Sequence, residues 1–172
     1  AVDLGSLVDE AMSTVRPIAE RFGNRLNLDL QVPGLHIESD RKRLFQCLLN
    51  LLSNASKFTE NGDVELIVGL TAIKDREAVS FVVRDSGIGM SEEQVGKVFE
   101  PFEQADGTLT REREGTGLGL NIAENLCQLH GGTLELVSTP NRGTAASILL
   151  PVERVLSPAD SPAQTASVSG AR

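Results

Sequence analysis

Ala78-Val79-Ser80-Phe81-Val82-Val83-Arg84-Asp85-Ser86-Gly87-Ile88-Gly89-Met90 reads as a strand that runs directly into a glycine-bearing loop. Val79, Phe81, Val83 and Asp85 fall on one strand face at period two. The alternation predicts that the Asp85 carboxylate points with the apolar side chains, toward a pocket. A buried carboxylate needs donors, such as the amino group of a flat base or an ordered water. Gly87 and Gly89 allow the backbone to turn sharply and approach such a base closely. The competing reading is a strand-to-loop turn whose Asp caps local amides.

Working outward, Val64–Ala72 forms the preceding strand, joined to Ala78–Arg84 as a hairpin through Lys74-Asp75-Arg76. Before it, Leu44, Cys47, Leu48, Leu51, Leu52 and Ala55 recur at helical spacing, out to about Lys57. A first helix carries Leu4, Leu7, Val8, Met12, Val15, Ile18, Ala19 and Phe22, with Gly23 as its stop. Leu26, Leu28, Leu30 and Val32 alternate as a half-buried strand, and Leu35 to Glu38 is a short one. Downstream, Ser91 and Gln94 make a capping box for a short helix. Residues 101–117 are polar and aperiodic, a long mobile loop of the kind that is usually functional or disordered. A helix from Leu118 to Leu129 and strands Thr133–Ser138 and Thr144–Leu150 close the domain. The predicted fold is an α+β two-layer sandwich, a mixed sheet covered on one face by about three helices. The domain is expected over 1–155, with a Ser, Ala and Pro-rich linker or tail over 156–172.

Two further segments carry candidate chemistry. Asn50 and Asn54 stand at i and i+4 on one helical face, away from the apolar stripe. Asn is a mediocre helix former, so two in mid-helix suggest a task. Its carbonyl oxygen is a hard ligand suited to Mg²⁺, and Lys57 lies one turn on, within reach of a phosphate. Two solvated asparagines on an exposed face are the alternative. Gly115-Thr116-Gly117-Leu118-Gly119-Leu120 opens a helix, where free amides and the helix dipole favour an anion. A flexible hinge is the equal competitor. No Gly-Lys-Ser/Thr follows, so it is not a Walker A loop.

Composition narrows the classes. The chain has 172 residues, 40% hydrophobic and 23% charged, which fits one soluble domain. A net charge of -8 argues against a duplex-binding protein, and the lack of Trp and Tyr against a stacking platform for single strands. No apolar run reaches the ~18–20 residues of a membrane span, and the start lacks the pattern of a signal peptide. Cys47 and Cys127 are expected as buried, reduced core thiols, and with His36 and His130 they make no zinc spacing.

Taken in order, Asn50-x-x-x-Asn54-Ala55-x-Lys57-Phe58-Thr59, Asp85-Ser86-Gly87-Ile88-Gly89-Met90, Phe99-Glu100-Pro101-Phe102 and Gly115-Thr116-Gly117-Leu118-Gly119-Leu120 resemble the N, G1, F and G2 boxes of sensor histidine kinases. The resemblance covers about residues 3–152. It implies the catalytic ATP-binding domain of the GHKL superfamily, with the Bergerat fold.

By that resemblance Asp85 accepts the adenine amino hydrogen, and Gly87 and Gly89 floor the base pocket. Asn54 coordinates Mg²⁺, and Asn50 and Lys57 contact phosphates. The 101–117 loop is the ATP lid, hinged by Phe99 and Phe102, and Arg111 reaches the γ-phosphate. Gly115, Thr116, Gly117, Leu118 and Gly119 hold phosphates at the helix start. Ile88, Leu120 and Thr144 complete the expected nucleotide contacts. Hydrolysing members of the superfamily carry a Glu where this chain has Asn50, and Asn cannot act as a base. The site is therefore expected to hold ATP until a histidine on a separate dimerisation hairpin arrives. Neither His36 nor His130 has the sequence context of that acceptor.

Expected partners are those phosphoacceptor helices and a response regulator or receiver domain. The isolated domain should be a monomer, the full-length protein a homodimer. The domain is expected in the cytoplasm, with a parent that is cytoplasmic or anchored in the inner membrane. Arg113 and Glu114 depart from the family pattern within the lid. A related serine kinase and a degenerate nucleotide- or partner-binding regulator are the alternative functions.

Overall fold

A computed structural model describes residues 1–99, 119–151 and 155–156, the last two as backbone. It contains β1 (Val2–Asp3), α1 (Leu4–Arg21), β2 (Arg25–Leu30), β3 (His36–Ile37), α2 (Arg41–Lys57), β4 (Asp63–Ile73), β5 (Arg76–Asp85), α3 (Glu92–Lys97), α4 (Gly119–Leu129), β6 (Thr133–Thr139), β7 (Gly143–Pro151) and β8 (Val155–Leu156). Helix starts follow their capping chemistry. Asp3 accepts from the Gly5 amide, Asp40 from Arg43, and Ser91 with Gln94 closes the capping box foreseen for α3. Gly23, at φ +70°, ends α1 in the left-handed region that a Cβ disfavours.

Five strands form the main sheet in the order β2-β4-β5-β7-β6, with β2 parallel to β4 and the other pairs antiparallel. This is the mixed sheet that the order of helices and strands predicted. The β4–β5 hairpin turns at Lys74 and Asp75, both at positive φ, the backbone a tight two-residue turn demands. One sheet face meets the helices. Val64, Leu66, Val68, Val79, Phe81, Val83, Ala146, Ile148 and Leu150 join Leu48, Leu51 and Leu52 of α2 and the buried stripe of α1 in one core. Every residue named above for the α2 stripe is buried. Two positions of the strand expected over Leu26–Val32 differ: Leu28 is exposed on β2, the edge strand of the sheet, and Val32 lies beyond its end at Leu30.

The sequence reading did not anticipate a second, small sheet. Val2 pairs with Ile37, and Ile37 with Val155, so strands two residues long from both ends of the described chain meet on β3. Such short strands leave almost no periodicity to read. The last of them spans the expected domain boundary at 155. No helix among the described residues is long and apolar enough to cross a membrane.

Candidate functional site

Asp85 is the last residue of β5, and strand register sets what surrounds it. Val64, Asp85, Thr144 and Ser138 lie side by side across four strands, on the helix-covered face. Asp85 Oδ1 accepts the Gly87 amide at 2.9 Å. Burial raises the carboxyl pKa, while the amides of Gly87 and Thr144 and the nearby Thr59 hydroxyl pull it down. Thr59 is 1% exposed. Its Oγ1 is close enough to influence Asp85, yet it meets hydrogen-bond geometry with no described residue. Of the two readings of Asp85, local amide capping is met, since one oxygen takes the Gly87 amide, and the group is half-buried.

The glycines form a close-fitting cradle. A Cβ on Gly87 would strike the Phe58 carbonyl and lie 2.7 Å from Thr59 Oγ1. Gly89, at φ +61°, has the Thr139 carbonyl where a Cβ would sit. Gly143, at φ +99°, has the Asp85 carbonyl there. Backbone bonds tie the pieces together, from Ile88 N to Phe58 O at 3.3 Å and from Asn141 N to Ile88 O at 2.6 Å. Ile88 itself is 45% exposed, beside the cradle.

The second half of the site is the Asn face of α2. Asn50 and Asn54 are half-buried and look toward the start of α4. Asn50 Nδ2 donates to the Gly119 carbonyl at 3.3 Å. A Cβ on Gly119 would lie 3.7 Å from Asn54 Nδ2, in ordinary contact. The solvated-face reading of these asparagines is therefore displaced, since α4 packs over them. Lys57 ends α2, and Asn54 and Lys57 make no side-chain hydrogen bond among the described residues. The Asn54 carbonyl accepts the Phe58 amide at 3.0 Å, which joins this face to the cradle. Among the described residues no group of three His, Cys, Asp or Glu side chains could hold a metal. The donor set suits a cation only if phosphate oxygens complete its shell.

Among the remaining expected residues, Leu120 packs against the core and Phe99 is half-buried, its carbonyl accepting Asn121 Nδ2 at 3.0 Å. Phe102, Arg111, Gly115, Thr116, Gly117 and Leu118 lie outside the described residues, as do the whole predicted lid over 101–117 and all of the predicted tail but Leu156. His36 Nδ1 contacts the Gly34 carbonyl, and His130 Nδ1 contacts Ser39 Oγ. Both cysteines are buried and free, and they face each other between α2 and α4. That contact holds the Cys47 pKa down, and with burial it pushes the Cys127 thiol well up.

Sequence reasoning missed Ser138. Its Oγ accepts the Met90 amide at 2.8 Å, donates to Gly143 O at 3.1 Å and sits 2.8 Å from Thr144 Oγ1. Only its place opposite Thr144 could have drawn notice, and that register is set by tertiary pairing. A groove of about 360 Å³ also opens at these strand ends. Its lining includes Glu65, Arg84 and Val137, which alternate with the core-facing residues, so it opens on the far sheet face.

A family model described as histidine kinase-, DNA gyrase B- and HSP90-like ATPase matches residues 39–154. The autoinducer 2 sensor kinase/phosphatase LuxQ of Vibrio parahaemolyticus is 41% identical over 152 residues, 85% of this chain and 18% of that protein. The non-motile and phage-resistance protein of Caulobacter vibrioides is 38% identical over 154 residues, 88% of this chain and 18% of its own length. The chain thus spans about a fifth of these relatives. Among solved structures, full-length ShkA in complex with AMPPNP superposes with a TM-score of 0.74 at 32% identity, covering 87% of this chain and 30% of that one. The nucleotide-free catalytic domain of histidine kinase ThkA gives 0.69 at 27% identity, covering 87% and 93%.

Proposed function

The chain belongs to the family of histidine kinase-, DNA gyrase B- and HSP90-like ATPases, and on that premise we propose that it binds Mg-ATP and donates the γ-phosphate to a histidine on a separate helical hairpin. The observation that carries this reading is the pairing of a half-buried Asp85 in a glycine cradle with the Asn50 and Asn54 face of α2. Asp85 keeps acceptor capacity beyond the Gly87 amide, which suits an adenine amino group. The nearby Thr59 hydroxyl, buried without a hydrogen-bond partner among the described residues, can serve the same edge or a water beside it. Only glycine at 87 lets the chain pass this close to the Phe58 carbonyl and Thr59, so any side chain there would push apart the wall that borders Asp85.

Asn54 offers its amide oxygen to Mg²⁺, while Asn50 and Lys57 meet phosphates. Arg111, in the lid, would approach the γ-phosphate. When bound, Mg²⁺ neutralises charge on the phosphate oxygens. No general base stands at Asn50, so this site positions ATP and stabilises charge, leaving the nucleophile to the partner hairpin. Resemblance to ShkA, whose complex contains AMPPNP, supports a nucleotide as ligand.

The test mixes the chain with a cognate hairpin carrying the acceptor histidine and γ-labelled ATP. Label that is acid-labile and base-stable on the hairpin supports the proposal. Acid-stable label would move the reading to a serine kinase, and no transfer despite nucleotide binding would move it to a regulatory nucleotide-binding domain.

A further inference from the structure

The wall that faces Asp85 is not held by the family-matched stretch alone. Phe58 and Thr59 make this wall. They follow α2 directly, and at a helix C-terminus the last carbonyls have no partner within the helix. Asn24 supplies one from more than thirty residues upstream. Its Nδ2 donates to Ser56 O at 2.9 Å and to Thr59 O at 2.8 Å, and its Oδ1 accepts the Gly62 amide at 3.1 Å. The amide orientation is set by these partners, since a flipped group would put its oxygen against two carbonyls. Asn24 is 8% exposed. Its side chain is aimed inward by the turn after α1, where Gly23 takes φ +70° and Asn24 N returns to Ala19 O at 2.9 Å. Two backbone bonds, Asn61 N to Phe22 O and Arg25 N to Gly62 O, seat residues 22–25 along residues 61–62.

We propose that Asn24, which lies outside the 39–154 stretch matched by the family model, is a positioning residue for the base pocket. It fixes the end of α2 and the Phe58–Thr59 wall at the distance from Asp85 and Gly87 that an adenine edge requires. The chain of contact is short. Asn24 holds the Thr59 carbonyl, Thr59 Oγ1 borders Asp85, and the Phe58 carbonyl stands against Gly87 and takes the Ile88 amide. Ala and Ser at 24 lack the paired donors and the acceptor that these three bonds use. Aspartate keeps the shape but turns a carboxylate toward two carbonyls. The inference rests on the nucleotide reading of the site.

The experiment measures the affinity of a non-hydrolysable ATP analogue and of its guanine counterpart, with Mg²⁺, by calorimetry at a temperature where circular dichroism shows each protein native. Wild type is compared with Asn24→Ala, Asn24→Ser and Asn24→Asp. Asp3→Ala, which removes the α1 cap remote from the pocket, serves as the control for lost stability. The expected result is about tenfold weaker binding of the adenine analogue, the scale of one lost hydrogen bond, together with reduced preference over the guanine analogue. Asp3→Ala should lower the melting temperature and leave both affinities unchanged. Folded Asn24 variants with wild-type affinity and preference would overturn the proposal. So would failure of all three variants to fold, which would make Asn24 a purely structural residue. If wild type binds neither analogue, the nucleotide reading itself falls; tight wild-type binding with unaltered variants removes only this inference.

Discussion

The two halves of the site are built differently. Around Asp85 the backbone is packed against itself, with the Phe58, Thr139 and Asp85 carbonyls standing where Cβ atoms of Gly87, Gly89 and Gly143 would be. On the Asn face of α2, Asn50 makes one 3.3 Å contact to Gly119 and Asn54 only approaches that residue. A rigid cradle suits a flat base, whose shape is constant and whose recognition rests on one polar edge. A looser polar face suits phosphates, whose position changes through a transfer reaction. On the proposed function, preorganisation at the first half and adaptability at the second would divide specificity from chemistry.

The sharpest way to break this comparison is Asp85→Asn, which replaces an acceptor by a donor where the proposed function places the base edge. Nucleotide affinity should fall on the order of 100-fold, about 2.7 kcal/mol, measured by calorimetry. A loss confined to a few-fold would mean that the cradle recognises shape alone. Next comes Gly143→Ala, which puts a methyl into the Asp85 carbonyl at φ +99°. It should cost about 2 kcal/mol of stability in urea unfolding, from left-handed strain and displaced backbone. Asn54→Ala tests the other half. Stability should stay within about 0.5 kcal/mol, as for a side chain without hydrogen bonds, while Mg-dependent affinity drops about tenfold and Mg-free affinity is unchanged.

The smallest effect concerns pH. Burial raises the folded pKa of Asp85 above its ordinary value of 3.8. A carboxyl with a raised folded pKa contributes stability that is complete below the unfolded value and lost as pH rises through the folded one. Without ligand, Asp85→Asn should therefore melt slightly above wild type at neutral pH, and the gap should close on acidification below about 4. The residue that serves the base would then be one that costs the empty fold.

Much of this was legible in the chain itself. The 3.6 and 2.0 periods placed α1, α2, β4 and β5, because each buries one face against a single core. Asp85 was readable for the same reason, as the continuation of the Val79, Phe81 and Val83 face. Asn50 and Asn54 stood out as costly residues in mid-helix. The exposure of Leu28 was not legible, since an edge strand and an inner strand share the same alternation. Nor were the two-residue strands on β3, Ser138 or Asn24.

The sequence by itself determined the longer elements, the core face of most of them and the candidate polar groups Asn50, Asn54 and Asp85, because these follow from local periodicity and side-chain chemistry. Only the tertiary structure decided which distant backbone groups would meet them. Asn24 reaches Ser56, Thr59 and Gly62, and Ser138 reaches Met90, Gly143 and Thr144, through register and chain crossing. A polar side chain carries no local signal of the carbonyl it will satisfy, because that partner is brought to it by the packing of apolar residues elsewhere.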